Sequence, residues 1–124
     1  GQGSQIVLTA GSGGHFITLG SINGRSTQFM VDTGATSVAL GADDARRMGI
    51  DFEKGQRISG STANGTITAY RVRLASIRIQ DVEVRDVEAA VVPAGMPHVL
   101  LGNSFLTRFQ MKRENDMLTL TRRY

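Results

Sequence analysis

Two Asn-Gly dipeptides, Asn23-Gly24 and Asn64-Gly65, each stand between stretches in which apolar and polar residues alternate. Asparagine and glycine reach positive φ at low cost, so Asn-Gly is the turn that lets an alternating segment fold straight back on itself as a hairpin. The first dipeptide joins His15–Ile22 to Arg25–Val31, and the second joins Gln56–Ser61 to Thr66–Leu74. The 15 glycines among 124 residues add further turns, and a chain of this length supplies one modest core. The expectation is one all-β domain spanning 1–124, with residues 1–4, Gly-Gln-Gly-Ser, disordered or left over from cloning.

The rest of the chain keeps this rhythm. Gln5–Ala10 reads as a strand broken by Gly11-Ser12-Gly13-Gly14, and Val38-Ala39-Leu40 as another. Asp43 and Asp44 precede Arg46 and Arg47, with Gly49 just beyond, so Ala42–Met48 is expected to be a short helix whose charges complement its dipole. Ser76–Ile79 and Val82–Val92 are further strands, and Pro93-Ala94-Gly95-Met96-Pro97 is a loop. Val99-Leu100-Leu101-Gly102 then repeats the pattern of an apolar run ending in glycine, before a short amphipathic stretch, Ser104–Phe109, that Asn103 is placed to cap. Phe109–Lys112 and Met117–Thr121 form a last hairpin. The terminal strands Gln5–Leu8 and Met117–Thr121 are expected to present edges open to a second copy.

Chemistry concentrates in Phe29-Met30-Val31-Asp32-Thr33-Gly34-Ala35. An apolar run that ends in Asp places a carboxylate at the mouth of a core strand, where ionisation is costly unless hydrogen bonds support it. The Thr33 hydroxyl and the backbone N–H groups after the glycine turn are the available donors. The simpler reading, an Asp that merely caps a turn, is common for Asp-x-Gly. Composition narrows the alternatives. Without cysteine there is no disulfide, thiolate or Cys-metal chemistry, and His15 and His98 are too few and too far apart for a zinc site. A net charge of +3 with scattered bases, two Tyr, five Phe and no Trp offers little to a nucleic acid. No cofactor is expected, and no stretch approaches the roughly 20 apolar residues of a membrane span.

Taken together, Val31-Asp32-Thr33-Gly34-Ala35, the small-residue hairpin tip around Ser59–Thr66, and Pro97 through Val99-Leu100-Leu101-Gly102 before a helix resemble the retropepsin-like aspartic proteases. These are single-domain relatives of pepsin that include the retroviral enzymes. The likeness is greatest to the bacterial branch, where Asp-Thr-Gly-Ala-Thr-Ser precedes an acidic-then-basic helix and the hairpin carries Thr62-Ala63-Asn64-Gly65. The resemblance implies a closed or partly open β-barrel with a flap hairpin and one or two short helices. It implies an endopeptidase working as a homodimer on polypeptide, with Asp32 as the catalytic carboxylate and Thr33 and Gly34 supporting it. Substrate would be lined by Met30, Ala35, Gly60, Ser61, Thr62, Ala63, Asn64, Gly65, His98 and Leu100. Many bacterial members resemble anchored envelope proteins, which suggests a periplasmic or envelope location and an N-terminal anchor outside this sequence, with the cytoplasm left open. The competing expectation is a peptide-binding scaffold that keeps the fold without the chemistry. Retroviral members also carry an acid two residues after the motif glycine and an arginine after the second glycine, an ion pair that helps to hold the dimer. Here those positions are Thr36 and Asn103, which implies a dimer that is weaker or closed differently.

Overall fold

The computed structural model describes residues 3–62 and 65–123. Ten strands follow in order: β1 (Gln5–Thr9), β2 (Ile17–Ile22), β3 (Arg25–Val31), β4 (Val38–Gly41), β5 (Gln56–Thr62), β6 (Gly65–Ile79), β7 (Val82–Val92), β8 (Val99–Leu101), β9 (Phe109–Glu114) and β10 (Met117–Arg122). Helix α1 (Ala42–Arg47) follows β4, and α2 (Asn103–Leu106) follows β8. Asn23 and Gly24 adopt φ of 51° and 82°, which turns β2 into β3 with Ile22 opposite Arg25. Gly65 has φ 117° at the end of the second hairpin, whose Ala63 and Asn64 lie outside the described residues. In α1 the expected charge order produces two i,i+3 pairs, Asp43–Arg46 at 3.2 Å and Asp44–Arg47 at 3.0 Å, while Ala42 and Ala45 face the core. Gly49, at φ 75°, ends the turn.

Seven strands form one sheet in the order β2-β3-β8-β4-β7-β6-β5. Two further pairs, Ser21 with Arg78 and Ile22 with Ile77, bring β2 back to β6. Six strands therefore ring the core, β5 hangs outside as an edge, and the barrel is only partly closed. Inside lie Phe29, Leu40, Leu74, Ile77, Ile79, Val84, Val91, Leu101 and Phe105, all fully buried. The smaller sheet, β1-β10-β9, covers one end of this core with Ile6, Leu8, Leu118 and Leu120. At the crossing of β2 over β6, a Cβ on Gly20 would sit 2.5 Å from the Arg78 carbonyl oxygen and 2.9 Å from the Phe29 ring. Only glycine lets the barrel close at that point. Among the described residues, no helix is long and apolar enough to cross a membrane.

Several expectations are corrected. β6 runs unbroken through Ala75, where two strands were expected. Asp86 stands opposite that point on β7 with φ 56°, between the pairs Leu74–Val87 and Ser76–Arg85. Its carbonyl accepts hydrogen bonds from Arg108 at 2.8 Å and Arg73 at 3.3 Å, so two guanidinium groups replace the ladder partner. Met117–Thr121 is not an edge, because β10 lies between β1 and β9. The β1 edge is itself partly occupied, since Gln80 Nε2 donates to the Val7 carbonyl at 2.9 Å. Gly3 and Ser4, expected outside the fold, carry backbone hydrogen bonds: the Gly3 N–H donates to Asp81 and the Arg122 N–H to Ser4.

Replacing Gly20 by alanine forces backbone against backbone at the barrel seam. Gly20→Ala is expected to cost about 1–3 kcal/mol, read as a lower urea midpoint with an unchanged slope.

Candidate active site

The site is built where β3 stops. The Asp32 N–H still donates to the Leu101 carbonyl at 3.2 Å, continuing the parallel pairing of β3 with β8 for one more residue. The chain then turns, and the Ala35 N–H closes back on the Asp32 carbonyl at 3.2 Å. Inside this turn the Gly34 N–H donates to Asp32 Oδ1 at 2.9 Å. A Cβ on Gly34 would lie 3.2 Å from that same oxygen, so glycine keeps the approach open. Asp32 and Ala35 are half-buried, whereas Thr33 and Gly34 are exposed. The carboxylate thus sits at the surface end of a core strand with a backbone donor, and it forms no ion pair among the described residues.

A second segment holds the loop from behind. After β8, Gly102 passes so close to the loop that a Cβ there would meet Ser37 O at 2.2 Å and Ala35 O at 2.8 Å. The next two residues reverse this contact into hydrogen bonds: Asn103 N–H donates to Ala35 O at 2.8 Å, and Ser104 N–H to Thr36 O at 3.1 Å. Ser104 Oγ accepts from Val38 N–H at 2.9 Å and donates to Glu88 O at 2.6 Å, which ties β4, β7 and α2 together at one hydroxyl. Asn103 is not the expected helix cap. Gly102 occupies that position without a side-chain bond, and the Asn103 amide instead donates to the Thr33 carbonyl at 3.0 Å. The sequence held a clue to this role, the echo between Asp32-Thr33-Gly34 and Leu101-Gly102-Asn103, but not the direction in which the amide points.

The expected substrate residues fall into two groups. Met30 and Leu100 are register partners on β3 and β8, so they share a face, and both are half-buried. His98, also half-buried, lies in the bend just before β8, so no strand pairing places it with this group. Met30 and Asp32 are two apart. Gly60 and Gly65 belong to the hairpin β5–β6, where Gly60 opposes Ile67, Ser61 opposes Thr66 and Thr62 opposes Gly65. Beside the hairpin's base, Ile67 and Thr68 of β6 and Val92, Pro93 and Ala94 line an apolar cavity of about 280 Å³. Sequence reading missed this cavity, because it needs the β6–β7 pairing to bring its walls together. Another cavity of about 250 Å³, on the Thr33 side of the loop, is walled by Phe16, Val31, Met111, Arg113 and Leu118, with the Arg113 guanidinium 5.1 Å over the Phe16 ring. Among the described residues, no group of three or more His, Asp or Glu side chains converges as a metal site.

A partly closed all-β ring, a projecting hairpin and a single Asp-Thr-Gly loop define one lobe of an acid protease. Comparison with known proteins agrees. The family model for "gag-polyprotein putative aspartyl protease" matches residues 18–108. The crystal structure of a retropepsin-like aspartic protease from Rickettsia conorii is similar with a TM-score of 0.82 and 32% identity, over 95% of this chain and 90% of that one. EIAV protease complexed with the inhibitor HBY-793 shares the fold at a TM-score of 0.62 and 18% identity, over 81% of this chain and 92% of that one. Two relatives are uncharacterized. One, in the cobV 5' region of a Sinorhizobium species, is 35% identical over 86% of this chain and 47% of its own length. The other, protein RP867 of Rickettsia prowazekii, is 34% identical over 94% of this chain and 51% of its own. The chain spans about half the length of these curated relatives. It belongs to the retropepsin-like aspartyl protease family.

Because Gly102 lies against two carbonyls of the loop, a methyl group there must push the loop away. Gly102→Ala is expected to destabilise the fold by about 1–3 kcal/mol and to disorder the Asp32–Thr36 backbone. Both effects can be read from one pair of urea-melt and amide-exchange measurements.

Proposed function

We propose that two copies of this domain act together as an aspartic endopeptidase, each supplying one Asp32. The observation that carries this reading is the mounting of that carboxylate, half-buried at a strand end with a backbone N–H on Oδ1 and, among the described residues, no ion pair. A binding module has no use for a costly acid at such a place. One protomer holds a single Asp-Thr-Gly, and the corresponding turn of its second half is Leu101-Gly102-Asn103, which has no acid. A two-fold axis beside Asp32 supplies the missing partner, and self-complementary dimers are the commonest oligomers.

The mechanism then follows the established aspartic-protease arrangement. Two carboxylates about 3 Å apart do not both ionise cheaply, so they share a proton. The protonated acid hydrogen-bonds the scissile carbonyl, and the ionised one takes a proton from the attacking water. The β5–β6 hairpin, held on one side only, closes over an extended peptide, whose backbone pairs strand-fashion near Gly34 and Ala35. Met30 and Leu100 on one face, His98 in the bend before β8, and the cavity at the hairpin base receive side chains. β10 is already paired on both sides within the protomer, whereas β1 keeps one edge beside Gln80, so the dimer rests on the face beside Thr33 and on the β1 edge, Gln5–Leu8, rather than on Met117–Thr121.

Cleavage of a mixed peptide pool should be blocked by an active-site aspartic protease inhibitor, and inhibitor-insensitive cuts would refute the reading. Asp32→Asn should lower turnover by at least about a thousandfold. A covalently joined wild-type/Asp32→Asn dimer should be as inactive as the double variant; one that cleaved at the wild-type rate would remove the two-carboxylate mechanism. Activity should also fall as pH rises far enough to ionise both acids, because the shared proton is then lost. A rate constant across acidic to alkaline pH would contradict a shared proton.

A further inference from the structure

The peptide unit joining Thr33 to Gly34 is held at both ends. Its carbonyl accepts a hydrogen bond from Asn103 Nδ2 at 3.0 Å, and its N–H donates to Asp32 Oδ1 at 2.9 Å. A trans peptide is a rigid plane with the C=O and N–H directed oppositely, so whatever fixes the carbonyl also aims the N–H. We propose that Asn103 is a positioning residue for Asp32, acting through this single peptide plane.

Among the described residues, no other side chain bonds this peptide unit. Thr33 and Gly34 are exposed, so packing does not clamp the plane, and glycine has no Cβ to resist its rocking. Donation into the carbonyl also polarises the peptide and strengthens the N–H as a donor to the carboxylate. The Asn103 backbone is anchored separately, through its own N–H to Ala35 O at 2.8 Å, so changing the side chain removes the clamp while the Gly102–Ser104 contact stays. The place where retroviral relatives carry a charged residue thus holds a neutral amide that organises the loop from within one protomer, 70 residues away in sequence.

The expected effect on turnover rests on the protease reading; the structural effect does not. Two variants of the whole chain, Asn103→Ala and Asn103→Leu, the second keeping the branched shape without the donor, are compared with wild type by thermal melting, by hydrogen exchange at the Gly34 amide, and by kcat and KM on an oligopeptide substrate. Melting should change little. Gly34 exchange should quicken about tenfold while β6–β7 amides keep their protection, and kcat should fall about tenfold with KM within about twofold. Unchanged Gly34 exchange in either folded variant overturns the proposal, as does a rise in KM with kcat intact. If wild type cleaves nothing, the protease reading falls, and Gly34 exchange still decides whether Asn103 aims the peptide plane.

Discussion

Val99–Leu101 is three residues long, yet both flanks of the site depend on it. β8 lies between β3 and β4, parallel to one and antiparallel to the other. Val99 and Leu101 fill the core, Leu100 turns to the opposite face beside Met30, and the Leu101 carbonyl receives the Asp32 N–H. Because side chains alternate, a slip of one residue would expose Val99 and Leu101 and push Leu100 into the core. It would also move the Asp32 acceptor and carry Gly102 away from the Ala35 and Ser37 carbonyls against which the absence of a Cβ is required. Position of the acid and burial of the core are therefore the same register choice.

Charge is distributed in keeping with this. The acids that pair do so within one element or between neighbouring strands: Asp43 and Asp44 along α1, Asp51 with Lys54, Glu83 with Arg78 across the β6–β7 hairpin and with Arg85 along β7, Glu88 with Arg71 on β6, and Glu114 with Lys112. Exposed pairs of this kind contribute at most about 1 kcal/mol each, and none of them involves the loop. Asp32 instead receives a backbone N–H, which supports a carboxylate without neutralising it.

Local chemistry made much of the fold readable. Asn23-Gly24, the charge order of α1 and the alternation of β2, β3 and β7 state their own conformation, and Asp32-Thr33-Gly34 announces the loop because strand, acid and turn are contiguous. What stayed hidden depends on partners distant in the chain. Asn103 before an amphipathic stretch has the look of a cap, and only the parallel seating of β8 brings its amide to Thr33. Met117–Thr121, near the chain's end, reads as an edge, yet hairpin pairing with β9 and return pairing with β1 put it in the middle. The kink at Asp86 has no local signal either, since its carbonyl is satisfied by Arg108, well beyond any sequence window.

The separation of 70 positions between Thr33 and Asn103 has a consequence for order in time. A ribosome delivers β3, the loop and β4 first, with an empty slot where β8 belongs, and the carboxylate's loop then has neither Leu101 nor Asn103 to lean on. Closing so distant a contact is slow relative to local hairpin formation. The Asp32 loop thus takes its final shape only after β8, the last strand of the barrel, has been synthesised, so a chain cut short before it carries Asp32 without the contacts that shape its loop.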